Sequence, residues 1–317
     1  MTVAQVVSIL MVDTAETQDQ AVSIESPLVF PYRFTSDGRL RHQVTQEPFV
    51  FRFQRGRDPE DTQREDQALC LHITQHVHSI LEEQANLRPH QGAPCLGYVY
   101  LSTRALESPA TLVVLVQDRG TVHCGLWSWR AAASEGLEKG SMIPYVRKAL
   151  EDGCSVLLMN PNQGGVGEMP EDHAQHVWDV IVSRCSSSRV VMVAHGYGGL
   201  VFVDLLCRRP QEVVKQVWAV AFLDSSHSLW HQPLDAMGRE WLRTHSRRWV
   251  LSSKPLNQPV GSLKAGCLQM SAGTQRHEAA PSVCMESVFK FFSKMLSPKP
   301  TSAFNIVTRS RSSLGHV

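Results

Sequence analysis

The chain has 317 residues, 43% of them hydrophobic, and a formal net charge of +1 at pH 7. This length suits one large α/β domain with short tails, or two small domains. The near-zero charge provides no global field to attract nucleic acid or an anionic membrane. No run approaches the ~18 apolar residues that mark a membrane-spanning helix. We therefore expect no direct nucleic-acid binding and no membrane partner.

Cysteine and histidine spacing gives no metal-site pattern. The eight cysteines are scattered and contain no C-x-x-C pair, which favours buried thiols of a cytosolic or nuclear protein. His72 and His76 lie four apart on a predicted helix but lack a third ligand nearby, so we interpret them as part of a solvated helix face. We expect no metal and no cofactor.

The first third of the chain is predicted to hold a hairpin and one long helix. Residues 1–29 are expected to form a disordered lead-in. Alternating apolar residues from Phe30 to His42, with a turn at Asp37-Gly38, and a second set from Val44 to Phe53 together predict a hairpin. A charged loop from Arg55 to Asp66 then leads into an amphipathic helix over 67–86.

Apolar runs and helical patterns alternate through the rest of the chain. Strands are predicted over 96–101, 112–116, 155–160, 217–223, 249–251 and 267–271, helices over 144–151, 171–185, 234–244 and 283–296, and one further strand and helix within 189–208. This alternation predicts a doubly wound, mostly parallel sheet in a single domain over 30–296. Residues 297–317 are rich in Ser, Pro and Arg, and we expect them to form a flexible tail.

The stretch from Arg189 to Arg208 is a strand, a glycine turn and a helix. In α/β-hydrolases such a turn is the nucleophile elbow, G-x-S-x-G, which holds a strained serine above the sheet. Here the turn is Ala194-His195-Gly196-Tyr197-Gly198-Gly199. The nucleophile position is therefore occupied by Gly196, which has no hydroxyl to attack a substrate.

The other two members of a hydrolase triad have candidates in the expected chain order of nucleophile, acid and histidine. Asp224 follows the predicted strand over 217–223, and His277 lies in the loop after the last predicted strand. His227 and His231 follow Asp224 too closely to be the usual base. His195, within the elbow, is expected to pack or hydrogen-bond locally.

The turn after the strand over 112–116 also departs from a hydrolase pattern. This turn normally supplies a backbone N–H to the oxyanion hole, often from a His-Gly motif. Here it is Gln117-Asp118-Arg119-Gly120, and Asp118 places negative charge where an oxyanion would develop. Loss of one oxyanion donor typically costs roughly 100- to 1000-fold in rate.

Several segments spread over about residues 30–296 resemble one known family. They include Asn160-Pro161-Asn162, Val193-Ala194-His195-Gly196-Tyr197-Gly198-Gly199, Asp224-Ser225-Ser226-His227-Ser228-Leu229-Trp230-His231-Gln232 and Ser271-Ala272-Gly273-Thr274. The chain resembles the Argonaute-binding protein 2 (Arb2-type) domain family, in its cotranscriptional-regulator branch and there its B-type member. The resemblance implies an α/β-hydrolase fold whose elbow normally contains serine.

The resemblance further implies a scaffold role: contact with Argonaute proteins and chromatin-associated factors in splicing regulation and small-RNA-guided heterochromatin. It also implies that the family's presumed triad of serine, acid and base corresponds here to Gly196, Asp224 and His277, a residual triad without its nucleophile. Our leading hypothesis is a catalytically degenerate hydrolase in the nucleus, the cytoplasm or both. Between Gln163 and Glu171 this chain is short. At that place the branch carries a long, charged, basic insert that resembles a nuclear localisation signal. The alternative is an active esterase or peptidase that uses Asp224 and His277.

Overall fold

The structure, a computed structural model, describes residues 30–51, 58–91, 97–163, 169–261 and 266–297. The predictions of a disordered lead-in over 1–29 and of a flexible tail concern residues outside these ranges, except for Ser297. The hairpin prediction is confirmed for its first half. Strands β1 (Tyr32–Phe34) and β2 (Leu40–His42) pair antiparallel across a turn in which Gly38 adopts φ +72°.

Residues 44–51, the described part of the second alternating set, form no strand, so that part of the prediction was wrong. Only an isolated bridge joins Pro48 to Arg41 there. The aromatic rings pack instead, with Phe49 5.1 Å from Tyr32 and Phe51 5.9 Å from Trp129 between ring centroids. The alternation therefore reflects side-chain packing rather than strand pairing; Phe53 lies outside the described residues.

The described ranges hold two short 3₁₀ helices, Val182–Arg184 and His277–Ala279, and nine α-helices, of which the first differs from its prediction. The α-helices are α1 (Pro59–Glu83), α2 (Trp129–Glu135), α3 (Leu137–Gly140), α4 (Ile143–Glu151), α5 (Pro170–Val180), α6 (Gly198–Arg208), α7 (Pro210–Gln216), α8 (Ala236–His245) and α9 (Ala280–Leu296). Helix α1 begins eight residues before the predicted start at Gln67, because Asp58 accepts a hydrogen bond from the Glu60 N–H and Pro59 suits the first turn. The charged loop was therefore predicted too long.

Eight strands form one sheet, which confirms the predicted mostly parallel architecture. They are β3 (Leu87–Gln91), β4 (Tyr98–Ser102), β5 (Leu112–Val116), β6 (Ser155–Leu158), β7 (Val190–His195), β8 (Val217–Leu223), β9 (Ser246–Val250) and β10 (Leu268–Ser271). Their order is β10-β9-β8-β7-β5-β6-β4-β3. Only β4 runs against the others, pairing antiparallel with both β3 and β6.

Helices cover both faces of the sheet centre. Val114 and Met192 belong to a buried cluster with Trp178 of α5 and Phe202 of α6. Their strand neighbours point to the opposite face, where Val113 and Phe289 of α9 line one cavity. Burial on both faces explains why β5 is apolar throughout and β7 is apolar up to its last residue, His195. Within the described ranges, no helix has the length and apolar character needed to cross a membrane.

The sheet order brings three turns to one edge. Strands β5, β7 and β8 are neighbours and run parallel, so their carboxyl ends meet there. Open α/β sheets bind ligands at that edge. The turn at 117–120, the elbow after His195 and the turn at Asp224 are therefore adjacent in space.

Candidate functional site

The elbow takes the geometry that a nucleophile turn requires. Strand β7 is buried throughout, and Gly196 follows it with φ +52°, a left-handed backbone conformation that residues with a Cβ rarely adopt. Backbone hydrogen bonds fix the turn: the Gly196 N–H donates to the Leu223 carbonyl over 3.0 Å, and the Ser226 N–H donates to the Gly196 carbonyl over 2.8 Å. The turn that places a serine in hydrolases is therefore formed, with glycine at its centre.

The space beside Gly196 holds the carboxyl group of Asp118. A Cβ added to Gly196 would collide with the Asp118 carboxyl carbon and both of its oxygens. Asp118 comes from the turn after β5, not from the elbow itself. A side chain from the neighbouring turn thus fills the place of the missing serine side chain.

Two backbone N–H groups bind this carboxylate as an oxyanion hole would bind an anion. Asp118 Oδ1 accepts hydrogen bonds from the N–H of Tyr197 over 2.5 Å and of Arg119 over 2.8 Å. Tyr197 follows the nucleophile position and Arg119 lies in the turn after β5, the two places that supply these donors in α/β-hydrolases. Both donors are therefore engaged by the chain's own anion.

His277 lies between two carboxylates. Its Nδ1 is 2.7 Å from Asp224 Oδ2 and its Nε2 is 2.9 Å from Asp118 Oδ2. The hydrogen bonds to Asp118 and Asp224 raise the pKa of His277 to about 9, although partial burial opposes this. The imidazole is consequently protonated at neutral pH and donates from both ring nitrogens.

The contacts around His277 also shift the pKa values of its neighbours Asp118 and His195. Burial opposes ionisation of Asp118, but the hydrogen bonds that it accepts, first from His277, hold the pKa of its carboxyl below the usual value. His195 stacks on His277 with ring centroids 4.2 Å apart. Burial, with the adjacent His277 cation, lowers the pKa of His195 to about 4. The site thus contains one charged and one neutral imidazole.

Asn162 holds the turn that delivers Asp118. Its side-chain Nδ2 donates to the carbonyls of Asp118 and Val122, each over 2.8 Å, and its Oδ1 accepts from the Gly120 N–H over 3.2 Å. Asn160 Oδ1 accepts a further hydrogen bond from the Cys124 N–H over 3.2 Å. The Asn160-Pro161-Asn162 segment therefore shapes the turn that fills the site.

Two other histidines considered from the sequence form hydrogen bonds elsewhere. Ser225 Oγ is 2.6 Å from His227 Nδ1, and burial, then Arg248, lowers the pKa of His227 to about 3. His195 bonds locally, as expected, through its Nε2 to the His277 carbonyl over 3.1 Å.

His76 stacks on Phe34 with centroids 4.7 Å apart, so the helix face predicted to be solvated is partly covered. No cluster of potential metal ligands occurs among the residues with described coordinates.

The structure thus brings together Gly196, Asp224 and His277, the three positions named from the sequence. Sequence reasoning missed that Asp118 joins them. The sequence did show a charged residue in the oxyanion turn, Asp118, but we interpreted its charge as one that would repel a developing oxyanion. The geometry shows no hydroxyl at the elbow and a filled anion hole, and the two carboxylates beside His277 favour the protonated form of its imidazole. Such an arrangement lacks the nucleophile and the neutral base of serine hydrolysis.

Similarity to known proteins identifies the family of this chain. The chain matches the Arb2 domain over residues 28–166 and 164–256. This chain belongs to the Arb2 domain family. It is 33% identical to "Cotranscriptional regulator ARB2A homolog" of Gallus gallus, over 90% of this chain and 86% of that protein. It is 32% identical to both "Cotranscriptional regulator ARB2A" and "Putative protein ARB2BP" of Homo sapiens, over 92% and 88% of this chain and 87% and 92% of those proteins.

Solved structures share the fold of this Arb2 domain protein. It superposes on "A histone deacetylase from Saccharomyces cerevisiae" with a TM-score of 0.51 and 15% identity, over 72% of this chain and 98% of that one. It superposes on "Structure of the histone deacetylase Clr3" with a TM-score of 0.51 and 14% identity, over 78% and 41%. At this identity the likeness concerns the fold alone. The sheet order and the elbow identify that fold as α/β-hydrolase-like.

Proposed function

We propose that this Arb2 domain protein is a catalytically degenerate α/β-hydrolase that acts as an interaction scaffold. Its partners are Argonaute proteins and chromatin-associated factors, and its setting is chromatin, splicing or small-RNA regulation in the nucleus, the cytoplasm or both. The names of two relatives, which call them cotranscriptional regulators, support this setting.

One observation carries the non-catalytic part of the proposal: the Asp118 carboxylate fills the nucleophile position and hydrogen-bonds His277. Serine hydrolysis requires a nucleophile, a neutral base and free oxyanion donors. Here glycine replaces the first, protonation removes the second and Asp118 occupies the third. A protein whose site is filled in this way acts by binding other molecules at its surface rather than by catalysing a reaction.

The net charge supports protein partners over nucleic acid. A formal charge of +1 over 317 residues provides little phosphate attraction. Binding to chromatin or small-RNA complexes would then proceed through their protein components. Capture of such complexes should survive treatment with ribonuclease.

Affinity purification from nuclear and cytosolic extracts tests the proposal. The tagged full-length protein should enrich Argonaute and chromatin proteins after ribonuclease treatment. The His277→Gln variant, with its site altered, should capture the same proteins, as should His231→Gln, which alters an exposed histidine outside the site. Absence of Argonaute proteins from every purification would contradict their assignment as partners. Loss with His277→Gln alone, in a folded variant, would assign binding to the site rather than to a scaffold surface.

The short bond between Asp224 and His277 supports one alternative, an esterase that activates water directly. Such an enzyme needs a neutral His277, which the protein supplies only as the pH approaches and passes about 9. Short-chain ester turnover by the wild type should then rise between pH 7 and 10 and vanish in His277→Gln. A flat rate equal to that of His277→Gln rules this alternative out.

A further inference from the structure

The Asp118 carboxylate is bound at the elbow by donors that would serve a free acid equally well. Its Oδ1 accepts hydrogen bonds from the N–H groups of Tyr197, over 2.5 Å, and Arg119, over 2.8 Å. Its Oδ2 lies 2.9 Å from His277 Nε2. Hydrogen bonds of this kind are strong because the acceptor is ionised. These three donors, from three different segments of the chain, together form a carboxylate receptor.

Two of the three donors are held in place by contacts that do not involve Asp118. The elbow that carries the Tyr197 N–H is fixed by two backbone hydrogen bonds of Gly196, over 3.0 and 2.8 Å. The imidazole of His277 is held at its Nδ1 by Asp224 Oδ2, over 2.7 Å. These bonds remain when the Asp118 side chain is removed. The receptor is therefore expected to persist without its occupant.

The place that the carboxyl group occupies has no other side chain to fill it. The three atoms nearest to a Cβ built on Gly196 all belong to the Asp118 carboxyl group. Glycine adds no side chain of its own, so removal of that carboxyl group empties the space beside the donors. The side chains of Asp118 and His277 are 28% and 38% exposed. Small solutes can therefore reach the receptor from the solvent.

We propose that the elbow is a receptor for small free carboxylates, and that Asp118 inhibits it from within the same chain. The class of ligand follows from the donors, which bind both oxygens of one carboxylate, and from the space, which fits an acid of one or two carbons. Asp118 excludes a free acid because tethering gives an effective concentration of order millimolar even for flexible linkers. This binding activity is separate from the scaffold function proposed above, and neither requires the other.

Chemical rescue in variants of the full-length protein tests this receptor. Asp118→Ala removes the atoms of formate, and Asp118→Gly removes those of acetate. In both variants the NMR titration midpoint of His277 should fall, because one of its two carboxylate partners is lost. The matching acid, added at constant ionic strength, should return the midpoint towards that of the wild type. Asp118→Ala should respond to formate at a concentration at least tenfold lower than to acetate, because the methyl group of acetate meets the alanine Cβ.

Asp118→Asn is the matched control, because its amide has the size of the carboxyl group and keeps the space filled. Neither acid should move the His277 midpoint in this variant. The wild type should bind acetate at least tenfold more weakly than Asp118→Gly does. An equal response of Asp118→Asn would place the acids elsewhere and overturn the proposal. Folded Asp118→Ala and Asp118→Gly variants that respond to neither acid overturn it too, as does a wild type that binds acetate as tightly as Asp118→Gly.

Thermal unfolding provides a second measurement that does not depend on the His277 resonance. A ligand that binds only the folded protein raises its melting temperature. Acetate should raise the melting temperature of Asp118→Gly, and it should leave that of Asp118→Asn unchanged at the same ionic strength. Equal shifts in the two variants would show that acetate does not bind in the vacated space, and would overturn the proposal.

Discussion

Asp118 Oδ2 lies 2.9 Å from His277 Nε2, at the place where a hydrolase's serine hydroxyl would meet its catalytic base. The two residues are 159 positions apart, and Asp224 bonds the other nitrogen of the same ring. This relationship couples loss of the nucleophile to a change in the charge of the base. Replacing Gly196 by serine is therefore not expected, on its own, to restore hydrolase activity.

The variant Gly196→Ser should be destabilised beyond the ordinary cost of a side chain at positive φ. Gly153 is the matched control, because its φ is +72° and an added Cβ would meet nothing within 4 Å. Gly153→Ser should cost about 1–2 kcal/mol. Gly196→Ser should cost about 1–3 kcal/mol more, because its Cβ collides with Asp118. Denaturant unfolding measures both values.

Removal of the collision provides the control. In the double variant Gly196→Ser, Asp118→Gly, the excess cost should disappear, and the serine should lie beside His277 with both oxyanion donors free. Fluorophosphonate labelling of the double variant should exceed that of Gly196→Ser alone. Equal stability losses for Gly196→Ser and Gly153→Ser would contradict the placement of Asp118.

Sequence patterns predicted the sheet better where strands are buried on both faces. The apolar runs at 112–116 and 217–223 match β5 and β8 in both bounds. Strand β3 was missed because its residues Leu87–Gln91 are mostly polar and include Pro89. Among the described strands, this one lies at the sheet edge and pairs only with β4. An edge strand tolerates a residue without an N–H donor, so its pattern carries little signal.

The site was predictable only in part for a related reason. Chain order and strand ends were enough to select Gly196, Asp224 and His277 as neighbours. The position of the Asp118 side chain depends on a turn that Asn162 ties down from 44 residues away. No local pattern encodes that contact. The charge of residue 118 was visible in the sequence, whereas its direction required the folded structure.

Asn162→Ala should destabilise the protein by about 1–3 kcal/mol, because backbone groups of the turn lose partners in a partly buried setting. The same change frees Asp118 from its fixed position, so the pKa of His277 should fall. Denaturant unfolding and a histidine NMR titration measure the two effects. A change within about 0.5 kcal/mol, the range of ordinary surface substitutions, would show that the turn does not depend on Asn162.

Stability should decrease as the pH rises from neutral to alkaline values. The pKa of His277 is about 9 in the folded protein and about 6.5 in an unfolded chain. Its stabilising contribution is therefore fully present below pH 6.5 and is lost as the pH rises through 9. The His277 side chain is 38% exposed, so screening by solvent reduces the effect to about 1–2 kcal/mol.

Unfolding free energies at pH 6 and pH 9.5 measure this contribution. The decrease should be smaller in His277→Gln by the amount that His277 contributes, and it should be unchanged in His231→Gln. An identical pH dependence in the wild type and His277→Gln would show that His277 is not held between two carboxylates.

The protonation state of His277 tests the central claim most directly. Long-range ¹H–¹⁵N NMR of the full-length protein, with the resonance assigned through His277→Gln, distinguishes imidazolium from neutral imidazole. The closed site predicts imidazolium at pH 7.5 and a titration midpoint near 9. In Asp118→Asn the midpoint should fall by about 1–3 pH units. A neutral His277 in the wild type at pH 7.5 would contradict the account, because a base available to activate water would then face the elbow.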